Sequence, residues 1–252
     1  MGQRFGQHFL KDKALIQDII KKFNPSGPII EIGPGLGALT YTLLALNKPL
    51  WVIEIDHALQ TLWDNKRIDY PHLSVIKSDV LAMDWEQWRT WHNEPFNIIS
   101  NLPYEISGPF LIRLAKHTHI WSQTTLLLQK DIVQKVLAMP SQHNYGRLSV
   151  QVQRYCDLIP GRTVAPGAFQ PPPKVMSQFL HLTPKKNILK VPSEVLWDDM
   201  LRMAFSHRRQ MLRRVFKDCP IDWQYIDIDP TVRPENLTVE QWVQLSYALE
   251  KQ

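Results

Sequence analysis

The stretch Ser100-Asn101-Leu102-Pro103-Tyr104 carries the residue types in this chain best suited to chemistry on a flat ring. It follows a short apolar run, Phe96 to Ile99, whose length and composition predict a buried strand. Pro103 has no N–H to give to a sheet ladder, so the strand must stop there. One amide, one main-chain carbonyl and one aromatic ring then leave the carboxyl end of a strand, the edge where open α/β sheets bind ligands. The Asn101 oxygen and the Leu102 carbonyl can accept the two hydrogens of an exocyclic amine. Tyr104 can stack on the heteroaromatic ring that bears the amine, a contact worth about 1–3 kcal/mol. The same residues would also serve a plain strand-ending turn, since Asn and Pro are both turn residues.

Two further groups of residues suit a nucleotide-like ligand. Residues 28–32 predict a short strand, and Gly33-Pro34-Gly35-Leu36-Gly37 follows at once, with helical spacing resuming at Leu39, Leu43 and Leu44. Glycines at Gly33 and Gly35 let the backbone approach a ligand that a Cβ would block. A second strand over 50–55 ends in Glu54-Ile55-Asp56. An acidic residue there is placed to grip both ribose hydroxyls of an adenosine moiety, while Asp56 caps the next helix. A third strand over 73–77 leads to Asp79. Asp79 either accepts from an adenine amino group, with Val80 or Leu81 on the ring, or caps a following helix.

The elements that must hold these groups alternate. Helical spacing over 11–23 ends at Asn24-Pro25-Ser26-Gly27-Pro28, and residues 1–10 read as an arm rather than a strand. Trp85, Trp88 and Trp91 form a packing stripe. Residues 107–115 predict a helix, 124–128 a fifth strand and 131–138 another helix, and a helical stretch opens at Tyr145-Gly146-Arg147-Leu148-Ser149. Residues 164–174 are Pro-rich and loop-like, and 179–182 form a short strand. Repeated strand–helix units imply a doubly wound, mostly parallel sheet. A polar, Lys-containing stretch between Pro184 and Pro192 marks a domain boundary, giving domains over 1–184 and 185–252. Beyond it the pattern is helical, with Ser193 as an N-cap and Thr238 with Gln241 as a capping box for a last helix over 239–249.

The 252 residues suffice for one large domain and a small one. A composition of 44% hydrophobic and 21% charged residues is that of a soluble globular protein. No apolar run approaches a membrane span, and the N-terminus predicts neither a signal peptide nor a myristoylation site. The two cysteines, Cys156 and Cys219, lie far apart, which predicts no disulfide framework and a reducing cytoplasm. The nine histidines lack ligand spacing, so no metal is expected; His117 and His119 read as a surface turn. The net charge of +5 permits a polyanionic partner without requiring one. Its densest part is Arg202, Arg208, Arg209, Arg213, Arg214 and Lys217, with no acidic residue from 202 to 217. If that segment is largely helical, Arg202, Arg209, Arg213 and Lys217 share a face while Met203, Met211, Leu212 and Val215 pack inward. It is then either a solvated basic face or a stripe that tracks a nucleic-acid backbone.

Taken in order, Phe5-Gly6-Gln7-His8-Phe9-Leu10, residues 31–37, Glu54-Ile55-Asp56, Asp79, residues 101–104, residues 145–149 and residues 169–175 resemble the KsgA-type ribosomal RNA adenine dimethyltransferases over nearly the whole chain. The family usually has Asn where His8 stands, and its bacterial members have Asn at Glu105. The resemblance implies a Rossmann-like domain that uses S-adenosylmethionine, followed by a small all-helical domain. It implies cofactor contacts from His8, Leu10, Gly33, Gly35, Glu54, Asp79 and Asn101, with a flipped adenine between Tyr104 and Phe169. It further implies N6,N6-dimethylation of two adjacent adenosines in a hairpin loop near the 3′ end of small-subunit rRNA, within an assembling 30S-type subunit. Three other readings share some of these residues: the same chemistry on large-subunit rRNA or DNA, a nicotinamide-dependent oxidoreductase, and a non-catalytic ribosome-assembly factor. The turn at residues 101–104 argues against the oxidoreductase.

Overall fold

The computed structural model describes residues 8–219 and 221–250. Its elements, in chain order, are β1 (Phe9–Leu10), α1 (Lys13–Phe23), β2 (Ile29–Ile32), α2 (Thr40–Leu44), β3 (Leu50–Glu54), α3 (His57–Lys66), β4 (Leu73–Lys77), α4 (Trp88–Trp91), β5 (Phe96–Asn101), α5 (Ser107–Lys116), β6 (Trp121–Gln129), α6 (Lys130–Leu137), α7 (Arg147–Gln153), β7 (Cys156–Val164), β8 (Phe169–Gln170), β9 (Ser177–Pro184), α8 (Glu194–Ser206), α9 (Leu212–Val215) and α10 (Val239–Glu250). Chain contacts group them into two compact units. One runs to Val133 and resumes over Asp157–Pro184; the other joins Gln134–Cys156 to the chain from Lys185 onward. A single cut after residue 184 therefore assigns the excursion Gln134–Cys156 to a different unit from the one its contacts favour.

The first unit is built on a seven-stranded sheet of order β4-β3-β2-β5-β6-β9-β7. Strands β2 to β6 run parallel, and β9 pairs antiparallel with β6. β2 is buried at every position, as a strand covered on both faces must be. The parallel strands put the carboxyl ends of β2, β3, β4 and β5 along one edge. Order reverses between β2's neighbours β3 and β5, which makes a switch point where α/β sheets take ligands. Helix α1 closes over the core with Leu15, Ile16, Ile19, Ile20 and Phe23 on one face. Asp12 caps its start by accepting from the Leu15 amide at 3.0 Å. Trp85 and Trp88 are buried and stacked at 4.6 Å between centroids, so they are core residues; Trp91 is half-buried.

Several expectations are corrected. Residues 9–10 of the arm form a strand after all, paired with β8: Phe9 faces Gln170 and Leu10 faces Phe169. The rest of the arm, residues 1–7, lies outside the described residues. β8 itself sits in the stretch expected to be a loop. β7 was not anticipated, because Pro160 and Gly161 interrupt its pattern; both suit a strand at a sheet margin, and β7 ends the strand order. No helix follows Asp79 directly: its carbonyl closes one turn with Ala82 and Met83, both at 3.0 Å.

The second unit is helical in its C-terminal part, around a core that includes Tyr145, Trp197, Leu201, Leu212 and Trp242. Ser193 caps α8 through Leu196 N at 3.3 Å. Thr238 and Gln241 form a reciprocal box at 3.0 and 3.2 Å ahead of α10. Arg154 is buried, and its guanidinium is satisfied by Glu194 (2.8 and 2.9 Å), the Tyr155 hydroxyl (2.7 Å) and the Leu189 carbonyl (2.8 Å). The basic segment is not one helix. α8 ends at Ser206, a turn follows, and α9 is four residues long. The shared face expected for Arg202, Arg209, Arg213 and Lys217 therefore does not form, and Met203 and Met211 are exposed rather than packed inward.

Candidate active site

A cavity of about 310 Å³ lies at the carboxyl edge of the sheet. The glycine turn forms one wall. Gly33, Gly35 and Gly37 all adopt positive φ (64°, 53° and 92°), which side chains disfavour. A Cβ on Gly35 would meet the Phe9 ring at 2.9 Å, and one on Gly37 would meet Trp63 at 2.7 Å. Nothing lies within 4 Å of the corresponding point at Gly33, so that backbone faces open space in the described structure. Trp63 fixes the turn from behind by donating to the Gly35 carbonyl at 3.0 Å.

Glu54 ends β3 at the cavity wall. It is 3% exposed, and its carboxylate accepts from the amides of Gly35 (3.3 Å), Ile55 (2.9 Å) and Asp56 (3.0 Å). Burial raises its pKa, and those three N–H groups hold the rise in check, while the Asp56 charge adds to it. A carboxylate has about four acceptor positions, so three amides leave room for a hydroxyl. Asp56 meanwhile caps α3 through Ala58 N at 2.8 Å. Asp79 lines the cavity beside Val80 and accepts from Leu81 N at 2.8 Å.

The 101–104 turn forms the opposite wall. Ser100 ties it to the end of β2 by donating to the Ile32 carbonyl at 2.6 Å. Asn101 donates its amide N–H to the His8 carbonyl at 2.8 Å. Only the NH2 end can make that bond, so the side-chain oxygen is the end left for a ligand. The Pro103 carbonyl accepts from Ile106 N and the Ser107 hydroxyl, both at 3.2 Å. The Tyr104 hydroxyl bonds Ser177 Oγ at 2.8 Å, and burial raises its pKa while that bond offsets part of the rise. His8 lies against the Tyr104 ring, 5.6 Å between centroids, and bonds the Pro171 carbonyl through Nδ1 at 2.9 Å.

Of the residues read as site residues from sequence, His8, Leu10, Gly33, Gly35, Glu54, Asp79 and residues 101–104 line this one cavity. Phe169 does not. It is 1% exposed and packs in the core of the same unit. The basic residues divide. Arg202 pairs with Asp199 at 2.7 Å, Arg208 with Glu235 (Nε at 3.0 Å), and Lys217 lies 3.9 Å from Asp218. Arg209, Arg213 and Arg214 are exposed.

Glu31, Ile55 and Phe9 are among the cavity residues that the sequence reading gave no role. Glu31 is buried, and one of its oxygens has no hydrogen-bond partner among the described residues. Burial pushes its pKa up to about 8, helped by the Glu54 charge and offset by the Thr40 hydroxyl. An acid inside an otherwise apolar strand, Ile29-Ile30-Glu31-Ile32, was the available signal. Ile55 lies between two acids and is 42% exposed, a flat apolar wall for a ring.

This topology and this cavity define a Rossmann-like domain of the S-adenosylmethionine-dependent methyltransferase class. The residues fit that cofactor: an open glycine turn, a buried carboxylate with spare acceptor capacity, and apolar walls at Ile55 and Val80. Residues 2–251 match the family model described as ribosomal RNA adenine dimethylase, and the chain belongs to that family. It is 36% identical to ribosomal RNA small subunit methyltransferase A of Coxiella burnetii, over 99% of this chain and 98% of the relative. It is 38% identical to the protein of the same name from Hahella chejuensis, over 97% and 91%. A solved dimethyladenosine transferase from Plasmodium falciparum superposes with a TM-score of 0.79 at 25% identity, covering 97% of this chain and 98% of that one. The 23S rRNA methyltransferase ErmE shares the fold, with a TM-score of 0.68 at 21% identity over 96% of this chain and all of that one.

Proposed function

We propose that the protein dimethylates N6 of two adjacent adenosines in a hairpin loop near the 3′ end of small-subunit rRNA, using S-adenosylmethionine and acting in the cytoplasm on an assembling 30S-type subunit. The observation that carries the reading is the Asn101 amide. Its N–H is spent on the His8 carbonyl, so its oxygen is presented at the end of β5, between the glycine turn and Tyr104.

When bound, the cofactor supplies an electrophilic sulfonium methyl; Glu54 would take a ribose hydroxyl, Asp79 its adenine amino group, and Ile55 and Val80 its ring faces. The rest of the work belongs to the turn. An adenine amino nitrogen is a poor nucleophile because its lone pair is delocalised into the ring. Asn101 Oδ1 and the Leu102 carbonyl accept its two hydrogens and favour a tetrahedral nitrogen whose lone pair points at the methyl. Tyr104, anchored through Ser177, stacks on the base. Alignment of this kind is worth roughly 7–11 kcal/mol at the extreme, which leaves no need for a strong base. The proton leaves to solvent after transfer, and the same two acceptors then serve the monomethylated amine with one hydrogen remaining. Arg209, Arg213 and Arg214 are exposed and make no ion pair among the described residues, and they would hold the rRNA backbone.

The test is labelled methyl transfer to small subunits that lack the modification, followed by nucleoside analysis. N6,N6-dimethyladenosine from small-subunit rRNA is the expected product. Label found only in large-subunit rRNA or DNA, or no transfer at all, would reject the reading.

A further inference from the structure

A second groove in the first unit, of about 610 Å³, is joined to the cavity by two pieces of chain, though no residue lines both. On one side, His8, Phe9 and Leu10 line the cavity and the very next residue, Lys11, lines the groove. At about 3.3 Å per extended residue, the two are one step apart. On the other side, Tyr104 of the cavity bonds Ser177, whose neighbour Met176 lines the groove. The join is fixed by backbone bonds: Lys11 N donates to the Ala168 carbonyl at 2.9 Å, and Lys130 N donates to the Met176 carbonyl at 2.9 Å.

The groove has the chemistry of a strand-binding surface. Lys11 and Arg162 line it, and both are exposed. Neither makes an ion pair among the described residues. The acid that lines it, Asp12, has one oxygen committed to the cap of α1. Lys174 and Lys130 are exposed near the same end of β9, and Val175 and Met176 remain 46% and 40% exposed beside them. Cations without carboxylate partners gain by replacing the counterions of a polyanion, and an exposed thioether offers a soft face to a base.

We propose that the groove lined by Lys11, Arg162 and Met176 holds the RNA strand next to the adenosine in the cavity, Lys11 and Arg162 each meeting a phosphate. This rests on the methyltransferase reading and deepens it: a base drawn into the cavity leaves its flanking phosphates at the cavity mouth, and the adjacent residues Leu10 and Lys11 put the groove within reach of the next one along the strand. The surface belongs to the first unit and the basic segment to the second.

The test is binding of a short labelled oligoadenylate by the full chain across a salt titration, with Lys11→Glu/Arg162→Glu compared to wild type. Two lost single-strand phosphate contacts should lower the log–log salt slope by about 1.4. Affinity at moderate salt should drop at least tenfold, and S-adenosylmethionine affinity and the melting temperature should hold. Lys11→Ala/Arg162→Ala should lower the slope similarly, with a smaller drop in affinity, and carries the test if charge reversal disturbs folding; Arg162→Lys should restore most of the binding. An unchanged slope overturns the proposal. So does loss of binding to ribosomal subunits with oligoadenylate binding intact, which would make the groove a protein-docking surface. If wild type binds oligoadenylate through these residues but methylates no subunit, the groove stands and the functional reading falls.

Discussion

The two regions that the proposed reaction needs are held in opposite ways. In the cavity, Glu54 accepts three backbone amides, Asn101 is turned by the His8 carbonyl, and Tyr104 is anchored on Ser177. These groups are oriented before any ligand arrives. In the basic segment, Arg209, Arg213 and Arg214 project from a turn and a four-residue helix into solvent. Chemistry on a nitrogen lone pair needs direction, so its groups are fixed; attraction to a phosphate backbone needs only charge within reach. The difference predicts that single losses in the cavity are costly and insensitive to salt, while losses in the basic segment are shallow and salt-dependent.

The sharpest way to break this contrast is Asn101→Ala. Removing one aligned group should cut single-turnover methylation by on the order of 10²–10³-fold with melting little changed. Normal turnover would remove Asn101 from the mechanism. Glu54→Ala comes next. A charge-assisted bond of about 1.5–3 kcal/mol corresponds to roughly ten- to hundredfold weaker cofactor binding, read by calorimetry, while RNA affinity should hardly move. Smaller again is Arg209→Glu/Arg213→Glu. Binding to the small subunit should weaken and its salt slope should flatten by about 0.7–0.9 per lost contact, with cofactor affinity untouched. A wild-type salt titration would make the segment an ordinary solvated face.

A last effect, read on stability rather than on activity, measures what the fixed cavity costs. Glu31 keeps its proton to about pH 8 in the folded state, against an ordinary value of 4.5. Below the ordinary value both states are protonated and nothing is lost. As pH rises from there to about 8, the unfolded chain releases a proton that the folded chain retains, so stability falls across that window and levels off above it. Glu31→Gln should flatten this part of the profile in denaturant titrations. A wild-type slope retained by the variant would show that another group titrates.

The cavity was legible in the sequence because each of its groups sits at a strand end, and strand ends are marked by local chemistry. Pro103 stops β5, the glycines follow β2, and Glu54 closes β3; a run of buried residues followed by such a residue fixes both the position and the edge. The basic segment was not legible in the same way. Its spacing fitted a helical face, but whether α8 continues past Ser206 is decided by tertiary packing around Leu212 and Trp242, which spacing does not encode. β7 was hidden because Pro160 and Gly161 break the pattern of a central strand. Phe169 shows a further limit. A motif can propose that a ring stacks on a ligand, but only the pairing of Phe169 with Leu10 reveals that the ring is buried.

That pairing has a consequence for folding order. The ribbon of β1 and β8 joins Leu10 to Phe169 with two residues on each strand, closing a loop of roughly 160 residues. Leu10 and Phe169 are 5% and 1% exposed in the core of the first unit, so parting the ribbon would also lift both side chains out of that core. Stacking on Phe169 would have to draw on the fraction of molecules in which the ribbon is apart. The apparent affinity for the base would then be the intrinsic affinity reduced by that fraction, so substitutions that strengthen the ribbon would weaken capture of the adenine without touching the residues that align it.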